Sequence, residues 1–313
     1  MSNTAILYDV AGKPSLMVRI PKFNLSDVID GAPYKPHPAF IVDGAVVPEI
    51  WISKYQNVVV DGKAYSLPLQ QPAVNVHFDE ARQACESKGA GWHLMTNAEW
   101  TAIALWCKRN GKLPRGNNNW GSDYRHDDEK GIVFDSVKVL TGSGPASWSH
   151  DGTTDGIYDL NGNVWEWVAG LRLLEGEIQV IPNNDAAGTA DQSAASDEWV
   201  PIMAAGESIK YAETNEGIKI TTEKPEDSWN GCKFAELEAD MEPPLILKAL
   251  GLFPDGSHES DDYFWADAEG DRLPFRGGRW DDGANAGVFA LYLFSPRSHS
   301  VNDFGFRSAF VAI

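Results

Sequence analysis

Cysteine and histidine spacing gives no recognised reactive centre in this 313-residue chain. Cys85, Cys107 and Cys232 lack C-x-x-C spacing, so they indicate neither a zinc site nor a disulfide framework. The first two fall within helix patterns and are expected to be buried as small hydrophobes. No G-x-S-x-G elbow or P-loop is present. The seven histidines are scattered, with no H-x-H or H-E-x-x-H spacing: His37, His77, His93, His126, His150, His258 and His299.

The charge balance excludes several classes of partner. Lysine and arginine total 26 against 45 acidic residues, which gives a net charge of −19. Such acidity argues against nucleic acid or an anionic membrane as the main partner, because phosphate binding needs cationic side chains. Acidic pairs such as Asp127-Asp128 are expected to be solvated surface. The sequence shows no signal-peptide pattern and no apolar run that could span a bilayer, so we expect synthesis in the cytoplasm and no membrane insertion.

The N-terminal half supplies recognisable elements that could position a site. Residues 50–60 predict a strand, and Asp61-Gly62 predicts a tight hairpin turn after it. Residues 78–87 show the apolar spacing of a helix. A second helix is predicted to begin at Thr96, because Glu99 three residues later completes a capping box. The helices are expected to be structural.

A strand near the C-terminus is the strongest candidate for displaying side chains. Residues 288–294 are rich in strand-forming residues. Since side chains alternate between the faces of a strand, Phe289, Leu291 and Leu293 share one face, while Tyr292 and Phe294 share the other. Aromatic groups beside polar ones suit a binding surface. A strand buried on both faces fits the same periodicity equally well.

The composition of residues 277–313 favours a surface that displays side chains to a ligand. Residues 277–313 contain no lysine, glutamate, glutamine or methionine, although the rest of the chain uses all four. The segment resembles the variable region of the variable proteins of diversity-generating retroelements. In that family, template adenines are randomised, mostly in AAC codons. Changing the first two bases of AAC gives Asp, Tyr, Phe, Ser, His or Val among others, and never Lys, Glu, Gln, Met or Trp.

This resemblance implies two sets of residues. The candidate ligand-binding positions, of the types that such randomisation gives or leaves unchanged, are Asp281, Asp282, Asn285, Tyr292, Phe294, Ser295, His299, Val301 and Asp303. The candidate scaffold positions, which would hold the frame, are Gly277, Gly278, Trp280, Gly305, Phe306 and Arg307.

Motifs spread along the chain carry a second resemblance. Segments 92–100, 159–168, 276–280 and 305–307 together resemble the formylglycine-generating enzyme and sulfatase-modifying-factor superfamily, whose C-type-lectin-like scaffold the variable proteins share. The resemblance covers residues 48–313. It implies an α+β fold in which two helices flank small antiparallel sheets and much of the chain is irregular. Enzymes of the superfamily commonly carry glutamate at the position of Gln56.

The predicted domain organisation follows from these motifs. Residues 1–47 form an N-terminal strand and arm segment, which either tethers the domain to another chain or caps it. Residues 48–313 form the C-type-lectin-like domain. Within it, 172–268 is predicted to be an acidic insertion on the domain edge, with strands near 177–181 and 218–222, and 277–309 is the variable region.

The sequence argues against catalysis. Formylglycine-generating enzymes need a cysteine pair shortly before the Gly-Phe-Arg motif, and residues 289–294 contain none. We therefore predict no catalytic residues and no required cofactor or metal. The resemblance allows calcium near Asn163 and Glu166, although a turn held by Asn163 and an arginine paired with Glu166 is favoured.

The sequence thus predicts a non-catalytic receptor or adhesin whose variable region recognises a protein or cell-surface ligand. The resemblance and the missing signal peptide suggest a place in a phage virion or export by a non-Sec route. The oligomeric state stays open. Two alternatives also stay open: a divergent oxidoreductase of the formylglycine-generating class, and a calcium-dependent lectin with a fixed site at Asp281, Asp282 and Asn285.

Overall fold

The computed structural model describes residues 3–214, 217–225, 229–256, 258 and 260–312. This part of the chain contains four α-helices, two of them short: α1 (Leu25–Val28), α2 (Phe78–Glu86), α3 (Asn97–Arg109) and α4 (Leu245–Ala249). None of the helices in the described ranges is long and apolar enough to cross a membrane.

Short strands make up most of the remaining regular structure. The first eight are β1 (Thr4–Tyr8), β2 (Pro14–Pro21), β3 (Ile41–Val42), β4 (Ala45–Val46), β5 (Glu49–Ser53), β6 (Val58–Val60), β7 (Lys63–Tyr65) and β8 (Trp92–Leu94). The next eight are β9 (Val133–Phe134), β10 (Lys138–Val139), β11 (Trp165–Trp167), β12 (Leu171–Leu174), β13 (Glu177–Val180), β14 (Val200–Pro201), β15 (Met203–Ala204) and β16 (Glu207–Ser208). The last nine are β17 (Lys210–Thr214), β18 (Gly217–Thr221), β19 (Trp229–Lys233), β20 (Glu238–Ala239), β21 (Tyr263–Asp267), β22 (Asp271–Gly277), β23 (Gly287–Ser295), β24 (Phe304–Phe306) and β25 (Ser308–Phe310).

Two sheets carry the architecture. The first has the order β1-β2-β5-β25-β8 and is antiparallel throughout, so the N-terminal strands β1 and β2 continue a sheet that also holds the C-terminal strand β25. The second has twelve strands, with the path β19-β21-β23-β22-β12-β13-β17-β18-β20 and with β11, β14 and β24 attached beside it. The predicted α+β class is confirmed.

The second sheet departs from the small antiparallel sheets that the sequence predicted. The strands of residues 172–268 extend it on both sides of the β22–β23 pair. Two of these strands, β13 and β18, lie where strands were predicted. Strands β21 and β23 pair in parallel, because β22 comes between them in the chain and lies on the far side of β23.

The predicted helices and hairpin are confirmed, whereas the long strand before the hairpin is interrupted. Thr96 Oγ1 accepts a hydrogen bond from the Glu99 backbone N–H, and Glu99 Oε2 accepts one from Thr96 N, so the capping box starts α3. Strand β5 ends at Ser53 and β6 begins only at Val58. Side chains between them form inward hydrogen bonds: Asn57 Oδ1 accepts the backbone N–H of Ser308 at 2.7 Å.

The buried hydrophobic residues of the described ranges form four clusters, of which two are large. Helix α3 contributes fully buried Ile103 and Leu105, among other residues, to the larger cluster, and strand β23 contributes Leu291 and Leu293. The smaller cluster collects aromatic rings, with Trp167 and Phe275 only 3.7 Å apart between ring centroids. Cys85 and Cys107 are both buried, as predicted.

A buried ion pair joins the two sheets. Arg307 lies between β24 and β25, and its Nε and Nη2 donate to the two carboxylate oxygens of Glu166 in β11 at 2.6 and 2.5 Å. Both side chains are about 1% exposed. Arg307 also donates to the carbonyl oxygens of Ser53 and Tyr158, and Gln56 Nε2 donates to Glu166 Oε1 at 3.1 Å. All these groups are removed from water, so each one depends on its partners.

Replacing one member of this pair should destabilise the fold strongly. In Arg307→Met the Glu166 carboxylate stays buried without its cation, so the free energy of unfolding should fall by about 3–5 kcal/mol. Urea denaturation followed by tryptophan fluorescence measures it. The control is Arg109→Met, because Arg109 pairs with Asp30 at the surface and such pairs contribute about 1 kcal/mol or less. Equal losses for the two variants would contradict the prediction.

Candidate functional site

The candidate site begins where β22 turns toward β23. Gly278 follows the last residue of β22 and has a φ of 88°, in the left-handed region that glycine favours. A Cβ atom there would lie 2.4 Å from the Ala286 Cβ atom, closer than two carbon atoms can pack. Glycine at this position therefore lets residues 279–286 fold back over the strand end as a compact loop.

Arg279 organises the polar part of the site. Its Nε lies 2.7 Å from Asp281 Oδ1, its backbone N–H donates to Asp282 Oδ2 at 2.8 Å, and its Nη1 donates to Asp303. Three carboxylates from two segments of the variable region thus surround one guanidinium. The cluster is partly exposed, since Arg279 and Asp281 retain 38% and 29% of their side-chain surface.

Burial changes the pKa of one member of this cluster, Asp282. Partial desolvation raises the pKa of Asp282 from 3.8 to about 6, against the opposing hydrogen bond and charge of Arg279. The charges of Asp281 and Asp303 raise it further. Because Arg279 is shared among three acids, it does not neutralise the cluster, and at pH 7 an excess of negative charge remains on this part of the surface.

Strand β23 provides the aromatic part of the site. Tyr292 and Phe294 are half-buried on one face, while Leu291 and Leu293 on the other face are fully buried in the larger core. The predicted alternation is therefore present. The Tyr292 ring lies 5.6 Å from those of Trp165 and Phe294, in tilted and edge-to-face arrangements. Aromatic packing fixes these side chains while leaving part of each ring exposed.

Two of the candidate ligand-binding positions, Ser295 and Asp303, are buried, so the prediction that they face a ligand is wrong for these two. Ser295 has no exposed surface. It stands opposite Leu273 of the neighbouring strand β22, and its Oγ lies 2.8 Å from His299 Nδ1. Asp303 is 6% exposed, because its carboxylate accepts from Arg279 and its backbone oxygen accepts the Trp165 N–H. Both side chains support exposed neighbours.

The remaining candidate residues fall into two groups by burial. Asn285, His299 and Val301 are half-buried. The His299 ring packs edge-to-face on Phe304 at 5.0 Å. The predicted scaffold residues are all buried: Gly277, Gly278, Trp280, Gly305, Phe306 and Arg307. The other candidate ligand-binding positions are therefore partly exposed, whereas the scaffold positions, Ser295 and Asp303 are buried.

Several residues at this surface were not singled out from the sequence. Arg297 pairs with Asp79 at 2.6 Å and lies over the Phe78 ring at 5.0 Å, which ties the variable region to α2. Trp265 in the insertion contacts Tyr292 at 5.7 Å. The alternation of Tyr263 and Trp265 was a signal for an aromatic strand face, but sequence spacing gave no reason to place that face beside β23.

Oxygen atoms that could bind a metal are engaged elsewhere. The Glu166 carboxylate accepts from Arg307 and Gln56, and Asn163 Oδ1 accepts from Asn117 Nδ2 and from the Val139 backbone N–H. Throughout the described ranges there is no group of three or more histidine, cysteine or acidic side chains placed to hold a metal ion.

A cleft of about 260 Å³ borders the loop of the variable region. Its lining includes Ala284, Ala286, Gly287 and Val288 of this loop and strand, together with Tyr124, Arg125 and Asp262. Arg125 pairs with Asp261 at 3.2 Å. Burial raises the pKa of Asp262 to about 6, although its carboxylate accepts the Phe289 backbone N–H. The cleft extends the candidate site beyond the candidate ligand-binding positions, none of which is among its lining residues.

Comparison with known proteins agrees with the predicted scaffold. Residues 37–181 match the family described as "Sulfatase-modifying factor enzyme 1-like domain". Over 134 residues the chain is 29% identical to the Bos taurus protein named "Inactive C-alpha-formylglycine-generating enzyme 2", covering 40% of this chain and 42% of the relative. The Mus musculus protein of the same name is 28% identical over 134 residues, with 40% and 41% covered. The chain spans about two fifths of the length of these relatives.

Three solved structures align with nearly the whole chain at low identity and low TM-scores. PvdO from Pseudomonas aeruginosa overlaps 98% of this chain and 97% of its own, with 14% identity and a TM-score of 0.42. The Treponema denticola variable protein 1 overlaps 98% of each chain, with 15% identity and a TM-score of 0.37. The U1 variant of the Major Tropism Determinant overlaps 98% of this chain and 71% of its own, with 12% identity and a TM-score of 0.36.

The raised pKa of Asp282 predicts a pH-dependent change in stability. A carboxyl whose pKa is raised from 3.8 to about 6 by folding destabilises the folded protein once it ionises. Asp282→Asn removes that cost, so its unfolding free energy relative to the parent chain should rise as pH increases from 4 to 7. After allowance for partial exposure, we expect a rise of about 1–2 kcal/mol. Chemical denaturation at several pH values measures this difference.

Asp61→Asn is the matched control. The Lys13 side-chain hydrogen bond lowers the pKa of Asp61, so this carboxylate stabilises the folded protein when it ionises. Relative to the parent chain, Asp61→Asn should therefore lose stability as pH rises, with a sign opposite to that of Asp282→Asn. The same sign for both variants would show that burial does not control the titration of Asp282.

Proposed function

We propose that this protein is a non-catalytic binding protein whose C-terminal region is diversified by a retroelement to recognise varied ligands. The observation that carries the proposal is the division of residues 277–309 into a buried frame and a half-buried face. Residues of the types that AAC randomisation produces, such as Asp281, Tyr292 and His299, lie at the surface over a frame of buried glycine, tryptophan and arginine.

The frame explains how such variation would be tolerated. Core positions resist change because substitutions there create cavities or overpacking, whereas exposed positions generally change stability little. In β23 the two kinds of position alternate, with Leu291 and Leu293 fixed in the core and Tyr292 and Phe294 facing outward. Variation at the outward positions would alter the binding surface and leave the hydrophobic contacts of the strand in place.

A thiol-dependent oxidoreductase is the less favoured reading. Thiol chemistry needs an accessible thiolate. Burial raises the pKa of Cys85, Cys107 and Cys232 alike, and all three side chains are buried. The word "Inactive" in the names of the curated relatives agrees with a non-catalytic role for this chain. Tight copper or iron binding with turnover of a thiol substrate would reverse this choice.

A calcium-dependent lectin with a fixed site is also disfavoured. Asp281 and Asp282 would supply its ligands, but both contact Arg279, and a cation would have to compete with that guanidinium. We therefore propose that ligand binding requires no metal. We further propose a protein or cell-surface molecule as the ligand, because aromatic and carboxylate groups spread over an open face suit a broad contact better than a small-molecule pocket.

Sequencing the DNA around the gene tests the proposal directly. Retroelement diversification requires a template copy, so we expect a near-repeat of codons 277–309 whose differences fall only where the repeat has adenine. The variable codons should include those of Tyr292 and Phe294 and exclude those of Trp280 and Arg307. A missing repeat, or differences spread over all four bases, would remove the basis of the proposed diversification.

A display experiment tests tolerance in the protein itself. One library randomises Tyr292 and Phe294, and a matched library randomises Leu291 and Leu293 in the same strand with the same codons. Because only the second pair is fully buried, we expect at least about fivefold more folded clones in the first library. Surface display combined with protease resistance measures the folded fraction. Similar fractions would show that the strand does not separate fixed from variable positions.

A further inference from the structure

Strands of the acidic insertion place three more aromatic side chains beside the variable strand. In the parallel pair β21–β23, Trp265 stands opposite Tyr292, so both side chains share one sheet face. Tyr263 lies two residues before Trp265 on that face. In the next strand, Trp229 stands opposite Asp267, which lies two residues beyond Trp265. Trp229, Tyr263 and Trp265 are called here the aromatic platform.

Ring contacts make the platform continuous with the variable residues. Tyr263 lies 4.4 Å from Trp265, and Trp265 lies 5.7 Å from Tyr292. Trp229 packs edge-to-face on Phe294 at 5.4 Å, although 61% of its surface is exposed. An exposed tryptophan is held here against a ring of the variable region, so constant and variable aromatic groups form one surface.

A glycine makes room for this arrangement. Gly231 stands opposite Trp265 in the β19–β21 pair. A Cβ atom at this position would lie 2.4 Å from Tyr263 Cε1 and 2.8 Å from Trp265 Cδ1, so any side chain would displace one of the rings. The missing side chain lets both rings lie across β19.

The side chains of the aromatic platform are not part of the larger hydrophobic cluster. The opposite face of the sheet contributes to that cluster, through fully buried Phe264, Leu291 and Leu293. On the outer face, Trp165 covers part of Trp265 and Tyr292 in the smaller aromatic cluster. The rest of the outer face stays partly exposed, with Trp229 the most exposed of its rings.

We propose that the aromatic platform is a constant part of the binding surface and contacts the partner together with Tyr292 and Phe294. The partner is a protein that presents lysine or arginine side chains to these rings. This inference rests on the proposed function and adds that one part of the binding surface is constant while the other part varies. The insertion supplies tryptophan, which AAC randomisation never produces, and the variable region supplies residues that change.

Charge complementarity selects a basic partner. Three carboxylates of the variable region share the single guanidinium of Arg279, which can balance only one negative charge. Burial raises the pKa of Tyr292, and two of these carboxylates, Asp282 and Asp303, lie close enough for their charges to raise it further. The faces of indole and phenol rings attract cations, and arginine and lysine bind best where carboxylates lie nearby. Tryptophan and tyrosine are also the residues that most often dominate the binding energy of protein interfaces.

The test uses the full chain displayed with five partly exposed candidate positions randomised by AAC-derived codons, namely Asn285, Tyr292, Phe294, His299 and Val301, while Asp281, Asp282 and Asp303 are kept. The probes are lysozyme, which is basic, and succinylated lysozyme, in which lysines carry negative charge. A panel of immobilised oligosaccharides is the third probe. We expect binders to lysozyme to outnumber binders to the succinylated form at least about tenfold. In individual clones, Trp229→Ser should weaken the Kd for lysozyme at least about tenfold, as loss of an aromatic anchor does.

Two variants serve as controls. Trp229→Tyr keeps an aromatic ring and should hold the Kd within about threefold of the parent clone. Tyr34→Ser removes an aromatic ring that is 82% exposed in the N-terminal segment and should leave the Kd unchanged. Thermal unfolding midpoints should agree among all these variants, because the side chains of Trp229 and Tyr34 are largely exposed.

The outcomes separate this inference from the proposed function. Unchanged Kd values after Trp229→Ser would overturn the role of the platform while leaving diversified binding intact. Binders found only for succinylated lysozyme or oligosaccharides would overturn the basic protein partner. A library that displays well and yields no binder to any probe would overturn the proposed function itself.

Discussion

The buried ion pair between Glu166 and Arg307 is the interaction on which the rest of this structure depends. It joins the strand of the Trp165–Trp167 segment to the junction of the last two strands, and its partners reach Ser53 and Gln56 in the N-terminal half. A charge that is buried this completely is tolerated only when every donor and acceptor is satisfied. Each contributing segment is therefore held in one position, and the C-terminal end of the variable region is held with them.

A second buried arginine holds the other end. Arg276, at the close of β22, donates to Asn97 Oδ1 at 2.7 Å and to the carbonyl oxygen of Gly251 at 3.2 Å, and burial lowers its pKa to about 9. Between the two arginines, residues 279–303 are supported by Trp280, by the core face of β23 and by buried Ser295 and Asp303. The two buried arginines and the packed strand therefore hold this segment to the core.

The strands of the insertion enlarge the surface that the variable region forms. They pair directly with β22 and β23, so the acidic segment belongs to the same sheet as the variable region. Aromatic rings of the insertion therefore pack against aromatic rings of the variable region. The surface combines residues that a retroelement would change with residues that it would leave unchanged. A rigid aromatic anchor beside adaptable positions lowers the entropic cost of binding many different partners.

Local patterns in the sequence determined the capping box at Thr96, the hairpin at Asp61-Gly62, the alternation of β23 and the class of the fold, because each depends on neighbouring residues or on motifs in a fixed order. Burial of Ser295 and Asp303, the break after Ser53 and the meeting of Trp229 with Phe294 were decided only by tertiary structure. In each case the partner lies in another segment. Spacing along one strand tells which side chains share a face, but only the packing of distant strands decides whether that face is covered.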